Sequence, residues 1–228
     1  MPRVLNFLYK VLVGVVLFVG LPLVGWGIGN AAGFFANPGR IAYVIFTIIG
    51  QLVMNAVFPN VSGKYNAGEK TVGRQKIALL LFQILSIAIV IVGPYCDRRG
   101  ILVMQDSLIL RVIGIALYGI GFALMTWAAS TLGKLFSYEV TIQKEHKLVI
   151  SGPFRFVRHP RYLGIIIFEI GLSLAFRSWG AMILTLLFVF ALIWRIIDEE
   201  KLMAETFGEE WKGHCKRTGK VVPRLRLG

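Results

Sequence analysis

Charged residues, histidine and cysteine are all scarce in this sequence. Only 16% of its 228 residues are charged, whereas a soluble domain carries roughly 25%. The three histidines and two cysteines are scattered, with no spacing typical of a zinc site. We therefore expect no metal site and no separate soluble domain.

A glycine-rich dinucleotide motif is also missing. Gly114 and Gly119-Ile-Gly121 do not match the pattern Gly-x-Gly-x-x-Gly, and they lie within an apolar run. A soluble-type dinucleotide-binding fold is therefore not indicated. The sequence shows no internal repeats and no low-complexity tracts.

Long apolar runs dominate what is present, since 56% of the residues are hydrophobic. Most of these runs have about the length of a helix that crosses a ~30 Å hydrocarbon core. They predict an all-α integral membrane protein with about six transmembrane helices, the last two forming a hairpin. The six runs are Val11–Ile28, Ile41–Phe58, Ile77–Val92, Val112–Ala129, Tyr162–Phe176 and Ala181–Ile197. The fifth is short enough that it need not cross fully.

The chain divides into two parts that we expect to form one structural unit. Residues 1–130 hold four predicted spans without a distinctive motif, and their role stays open. Residues 131–228 hold a long polar loop, the helical hairpin and a basic C-terminal segment.

The positive charge is strongly asymmetric. The net charge is +13, and of the 25 Lys and Arg residues all but Arg40, Arg98, Arg99, Arg111 and Arg177 fall on the side of both termini. This bias predicts that both termini are cytoplasmic. It favours contact with anionic membrane lipid over binding to nucleic acid. Cys96 and Cys215 then lie on opposite sides of the membrane, so a disulfide between them is excluded.

A cationic loop precedes the fifth run, with Arg155, Arg158, His159 and Arg161 close together. Pro160 fixes one backbone dihedral and disfavours helix at His159, so the turn is held in shape. Arginine offers a planar fork for carboxylates or phosphates, and the following helix points its N-terminus at the same place. The loop therefore suits a cofactor bearing such a group. The alternative is a basic loop that only contacts lipid headgroups.

The sixth run ends in a second charged cluster, which contains Arg195 and Glu199. These residues are four apart and therefore share one helix face. Ionisable residues within membrane spans are usually functional. The alternative is a salt bridge at the helix end with Arg195 extending to the surface. Glu169, on the facing helix, is a candidate for pairing with Arg195 or with a loop arginine, and its role stays open.

Five short motifs occur in order over residues 132–223. They are His146-Lys-Leu-Val149, Ser151-Gly-Pro-Phe154, Arg158-His-Pro-Arg-Tyr162, Arg195-x-x-x-Glu199-Glu200 and Phe207-Gly-Glu-Glu-Trp211. Together they resemble the isoprenylcysteine carboxyl methyltransferase family, which is related to membrane phospholipid methyltransferases.

This resemblance implies binding of S-adenosylmethionine by the cytoplasmic loop and transfer of its methyl group to a lipophilic acceptor, most like a prenylcysteine carboxylate. By position, it implies that the cofactor contacts His146, Lys147, Leu148, Val149, Phe154, Arg158, His159, Pro160, Arg161 and Glu199. It places Arg195 at the acceptor and Glu199 between acceptor and cofactor. Phe154 stands where the family often has Tyr, so a hydroxyl contact is lost there. Glu139 stands where some relatives have Gln, and its role is open.

Three alternatives remain at this point. One is methylation of a phospholipid amine. Another is an NADPH-dependent membrane reductase acting on a sterol-like or isoprenoid-like lipid, with the basic loop holding the extra phosphate. The third is a scaffold that binds lipid without catalysis. The sequence names neither the acceptor nor the oligomeric state.

Overall fold

Among the residues that the structure describes, the fold consists of eight α-helices and one very short strand pair. A computed structural model describes residues 3–58, 70–71, 75–136, 141–142 and 147–224. In the described part of the chain the elements are α1 (Arg3–Val15), α2 (Leu21–Trp26), α3 (Ala31–Phe35), α4 (Pro38–Val57), β1 (Lys70–Thr71), α5 (Gln75–Arg99), α6 (Leu108–Leu132), β2 (Thr141–Ile142), α7 (Pro160–Ala175) and α8 (Trp179–Arg217). A π-helical turn over Val16–Gly20 joins α1 to α2, so the two form one continuous rod.

Five helical stretches in the described part are long and apolar enough to cross a membrane. They are Val4–Trp26, Pro38–Val57, Ile77–Arg99, Leu108–Leu132 and Trp179–Arg217. These confirm the prediction of an all-α integral membrane protein. The predicted fifth run is α7, which has 16 residues where a straight crossing takes about 20. The count of six spans is therefore not confirmed.

Two helix boundaries differ from the sequence expectation. The third predicted run, Ile77–Val92, ends too early, because α5 continues through Pro94 to Arg99. Proline is tolerated inside membrane helices, where neighbouring groups can satisfy the freed carbonyls. The last helix, α8, continues past the predicted end at Ile197 into the C-terminal segment as far as Arg217, and it is kinked at Gly208, where the backbone is non-helical (φ 49°).

Close packing of α6 against α7 rests on four glycines. Gly114 and Gly121 of α6 face Gly171 and Gly164 of α7, each pair seven residues apart along its helix. A Cβ on Gly171 would lie 2.2 Å from the backbone nitrogen of Tyr118, and one on Gly121 would lie 2.4 Å from that of Phe168. Small residues let helix backbones approach in this way in lipid. Gly114 and Gly121, which fit no dinucleotide motif, thus allow α7 to pack closely against α6.

Buried ion pairs join the helices at the end of the bundle where α5 stops and α6 begins. Asp97 accepts hydrogen bonds from Arg40 of α4 (3.0 Å), from Arg111 of α6 (3.0 Å) and from Arg177 in the α7–α8 turn (2.6 Å). The Asp97 side chain is 1% exposed. Arg111 also donates to Asp106 at 2.8 Å, and this bond lowers the pKa of the Asp106 carboxyl. One aspartate therefore ties together α4, α5, α6 and the hairpin turn.

At the opposite end of the bundle, backbone pairing joins segments that are distant in sequence. The strand β1 pairs antiparallel with β2, with Lys70 opposite Ile142. Val157 forms a parallel bridge with Gly219. Backbone pairing therefore joins the connection after α4 to the connection between α6 and α7, and joins the latter to the C-terminal segment.

Candidate active site

A chain of three polar side chains lies where α7 begins and α8 leaves the apolar part of the bundle. The Nε of Arg195 donates to the hydroxyl of Tyr162 at 2.8 Å. The same hydroxyl donates to Oε2 of Glu199 at 2.6 Å. Arg195 and Glu199, the predicted catalytic pair, are thus joined through a tyrosine. Arg195 is only 3% exposed, so it does not extend to the surface as the alternative interpretation requires.

A second polar group lies beside the first and is centred on Glu200. Its Oε1 accepts from Nε of Arg158 at 2.7 Å and lies 3.2 Å from Nε2 of His159. Its Oε2 lies 3.3 Å from Nζ of Lys220. The His159 ring also stacks on Tyr162, with the ring centroids 5.5 Å apart. This stack brings the two polar groups into contact.

The C-terminal segment is held against the cationic loop by backbone as well as side-chain bonds. The amides of Arg158 and His159 donate to the carbonyls of Gly219 and Lys220, each at 2.9 Å. The Arg158 guanidinium also donates to the carbonyl of Thr218 at 2.6 Å. Arg158 therefore anchors the C-terminal segment, a role that the sequence did not suggest for it.

Helix α8 supplies the acidic residues of both groups. Successive residues of a helix point about 100° apart, so Glu199 faces Tyr162 while Glu200 faces the loop cations. Arg195 lies four residues before Glu199 and shares its face, as predicted. The register of α8 thus places one carboxylate in each polar group.

An apolar cavity of about 480 Å³ opens next to the Arg195–Tyr162 pair. Arg161, Tyr162 and Arg195 line its polar end. Most of its remaining wall is hydrophobic and includes Leu17, Leu21, Phe82, Val90, Phe188 and Leu192. A cavity with one charged end and long apolar walls suits an amphiphile bound by its polar head.

The cavity also reaches the lipid-facing surface of the bundle. Leu17 of the π-helical turn and Ile87 of α5 belong to its wall, yet 39% and 46% of their surfaces are exposed. Both residues lie within membrane-crossing stretches. Part of the cavity wall is therefore exposed surface of the first and third of the stretches long enough to cross a membrane.

The other predicted cofactor residues occupy the loop and the start of α7. Pro160 is buried as the first residue of α7, and the Arg161 guanidinium lies 4.9 Å from the ring centre of Phe136. Phe154 lies half-buried in a 3₁₀ turn over Gly152–Arg155. Lys147 is exposed in an irregular segment, where Leu148 and Val149 are half-buried. His146 and Glu139 lie outside the described residues.

Sequence reasoning missed the roles of Tyr162, Ser86 and Asp97. The sequence analysis included Tyr162 in a motif but assigned it no role. Its position directly after Arg161, near the start of an apolar helix, could have indicated that it lies at the polar site. Glu169 meets Ser86 of α5, whose hydroxyl donates to Oε1 at 3.1 Å. The sequence analysis considered an arginine as the partner of Glu169, whereas the structure shows Ser86 at this carboxyl.

Comparisons with known proteins give consistent results. Residues 109–210 match the family model described as phospholipid methyltransferase. The protein-S-isoprenylcysteine O-methyltransferase of Saccharomyces cerevisiae is 34% identical over 119 residues, which cover 49% of this chain and 48% of that protein. Its counterpart from Schizosaccharomyces pombe is 32% identical over 113 residues, 46% of either chain.

A plant relative has a similar name and matches a similar length of this chain. A probable protein-S-isoprenylcysteine O-methyltransferase of Oryza sativa subsp. indica is 27% identical over 123 residues, covering 53% of this chain and 64% of that protein. The matches thus span about half to two thirds of the curated relatives. These similarities agree with the resemblance carried by the ordered motifs of the sequence.

Proposed function

We propose that this protein transfers a methyl group from S-adenosylmethionine to the carboxylate of a lipophilic acceptor of the prenylcysteine type. The observation that carries the proposal is the Arg195–Tyr162–Glu199 chain at the polar end of an apolar cavity. The names of the similar proteins support the same chemistry. They favour methyl transfer over the reductase and scaffold alternatives.

Each residue of the chain has a distinct task in this proposal. The buried guanidinium of Arg195 binds and orients the acceptor carboxylate, for which its planar fork is suited. The Tyr162 hydroxyl holds Arg195 and Glu199 in fixed relative positions. A carboxylate has no proton to lose, so no general base is required. The site acts chiefly through alignment and electrostatics, while the apolar walls exclude water.

The chemistry of the available groups fits the proposed methyl donor. S-adenosylmethionine, when bound, supplies its methyl group on a positively charged sulfur. Glu199 offers a half-buried carboxylate that would attract this cation, and His159 and Arg161 lie at the N-terminus of α7, where anionic groups are favoured. Lys147, Leu148 and Val149 would contact the adenosine part. Arg158 contributes indirectly, by holding the C-terminal segment against this loop.

The proposal also includes an orientation in the membrane. We place both termini and the polar site on the cytoplasmic side, where most of the Lys and Arg residues lie. The methyl donor then enters from the cytosol and the acceptor enters sideways from the bilayer, past Leu17 and Ile87.

Binding of small molecules to detergent-solubilised protein tests the cofactor assignment. Calorimetry should show saturable binding of S-adenosylmethionine and of its demethylated product, but not of NADPH. Glu199→Gln should weaken binding of the cationic donor more than that of the neutral product. Glu205→Gln serves as the matched control, because Glu205 lies on the same helix and is exposed. Binding of NADPH alone would refute the methyltransferase assignment.

A second candidate reaction is methylation of a phospholipid amine. The match of residues 109–210 to the phospholipid methyltransferase model favours it. In that case Glu199 would accept the proton that the amine loses.

The two reactions leave different products. Labelled methyl groups on a carboxyl ester are released by mild alkali, whereas methyl groups on nitrogen are retained. Incubation with an S-prenylcysteine should give alkali-labile label in wild type and much less in Arg195→Ala. Label that resists alkali, obtained with an aminophospholipid only, would favour the second reaction.

A further inference from the structure

Three polar side chains, Gln83, Ser86 and Glu169, interrupt the apolar wall of the cavity. Glu169 of α7 lines the cavity and is 3% exposed. Ser86 of α5, also in the wall, donates to its Oε1 at 3.1 Å. Its second oxygen, Oε2, is buried and accepts no hydrogen bond from the part of the chain that the structure describes. A buried polar atom left in this state costs free energy, so a ligand group that reaches it gains an interaction.

This carboxyl lies well away from the proposed reaction centre. Glu169 follows Tyr162 by seven residues on α7, which corresponds to two helical turns and a rise of about 10 Å. The same two turns separate Phe188 from Arg195 on α8, and both residues line the cavity. The carboxyl therefore faces the part of the cavity that would hold the tail of the acceptor, about 10 Å from its head.

A structural role alone does not account for this arrangement. A carboxyl that served only to join α5 and α7 would need just the one bond to Ser86, and an amide or hydroxyl would make that bond equally well. Burial of an ionisable group in an apolar cavity is costly. Helix packing therefore does not explain why Oε2 of Glu169 is buried in the cavity wall.

We propose that Glu169, together with Ser86, forms a second polar subsite that binds a hydroxyl group on the tail of the lipophilic acceptor. A hydroxyl fits because it both donates and accepts, and so it can pair with a carboxyl in either protonation state. It also costs less to bring into an apolar cavity than a charged group does. This inference rests on the proposed function, since it names a feature of the acceptor used at the same site.

The test compares S-prenylcysteines that carry a hydroxyl at different positions of the chain with the same compound lacking it. Equilibrium binding and kcat/KM are measured for each. Wild type should prefer the compound whose hydroxyl lies about 10 Å from the carboxylate, by about tenfold, the typical worth of one hydrogen bond. Glu169→Leu should abolish the preference while binding of the plain compound is retained. Ser86→Ala should change it less, because Glu169 remains.

Controls separate this inference from the proposed function. Glu205→Gln should leave the preference unchanged. Glu169→Met removes both carboxyl oxygens but keeps a side chain of similar length, and it should abolish the preference in the case that the leucine variant does not fold. Equal binding of hydroxylated and plain compounds by wild type, at every hydroxyl position, would overturn the inference even if both are methylated. Binding with the expected preference but without methyl transfer would support the subsite and count against the proposed function instead.

Discussion

Replacing Tyr162 by Phe tests whether the hydroxyl bridge organises the reaction. The change removes one oxygen from a buried site and leaves the ring, which stacks on His159, in place. Two hydrogen bonds disappear, one from Arg195 at 2.8 Å and one to Glu199 at 2.6 Å. A hydrogen bond to a charged group is worth about 1.5–3 kcal/mol. If one such interaction acts in the transition state, kcat/KM should fall about 10- to 150-fold.

The assay is the initial rate of methyl transfer from labelled S-adenosylmethionine to an S-prenylcysteine in detergent or lipid discs. Tyr43→Phe is the matched control, because its buried hydroxyl donates to the backbone carbonyl of Phe18 at 2.5 Å and does not belong to the Arg195–Tyr162–Glu199 chain. Both variants should lower the unfolding temperature, but only Tyr162→Phe should lower kcat/KM at temperatures where the protein stays folded. Full activity in Tyr162→Phe, or equal losses in both variants, would refute the reasoning.

Three further predictions concern the scaffold around the site. Asp97→Asn removes the charge that faces Arg40, Arg111 and Arg177. It should lower the free energy of unfolding by about 3–5 kcal/mol, the cost of breaking a buried ion pair. Thermal unfolding in detergent measures this loss, and an unchanged unfolding temperature would contradict the prediction. Gly171→Ala puts a Cβ 2.2 Å from the Tyr118 nitrogen and should cost about 1–3 kcal/mol by forcing α6 and α7 apart, whereas Gly213→Ala, with open space around it, should not. Glu200→Gln weakens the hold on Arg158 and His159, so calorimetry should show about tenfold weaker binding of S-adenosylmethionine; affinity equal to wild type would show that the loop is held by its backbone bonds alone.

The sequence predicted the class of fold well, because membrane helices are recorded in local composition. Apolar runs gave the five long crossing stretches but not their ends, since the first stretch begins at Val4 rather than Val11 and the last continues past Ile197 to Arg217. Helix α7 was harder to interpret. It is short, and its close contact with α6 depends on glycines that have no meaning until the two helices are placed side by side.

The candidate site was predicted in part. Spacing along one helix was enough to place Arg195 and Glu199 on a common face. Contacts between helices were not accessible in this way: the bridge through Tyr162, the bond from Ser86 to Glu169 and the three arginines around Asp97 all join residues distant in sequence. Arg158 shows the same limit, since its partners Glu200 and Thr218 belong to a different part of the chain.

The arrangement of Arg195, Glu199 and Glu200 on a single continuous helix constrains how proteins of this kind can diverge. A single residue inserted between Arg195 and Glu199 would turn both carboxylates by about 100°, away from Tyr162 and from the loop cations. Surface loops accept insertions at little cost, but this stretch of α8 has no such freedom. Changes in length should therefore accumulate in the connecting loops, while the distance along the chain from Arg195 to Glu200 stays fixed.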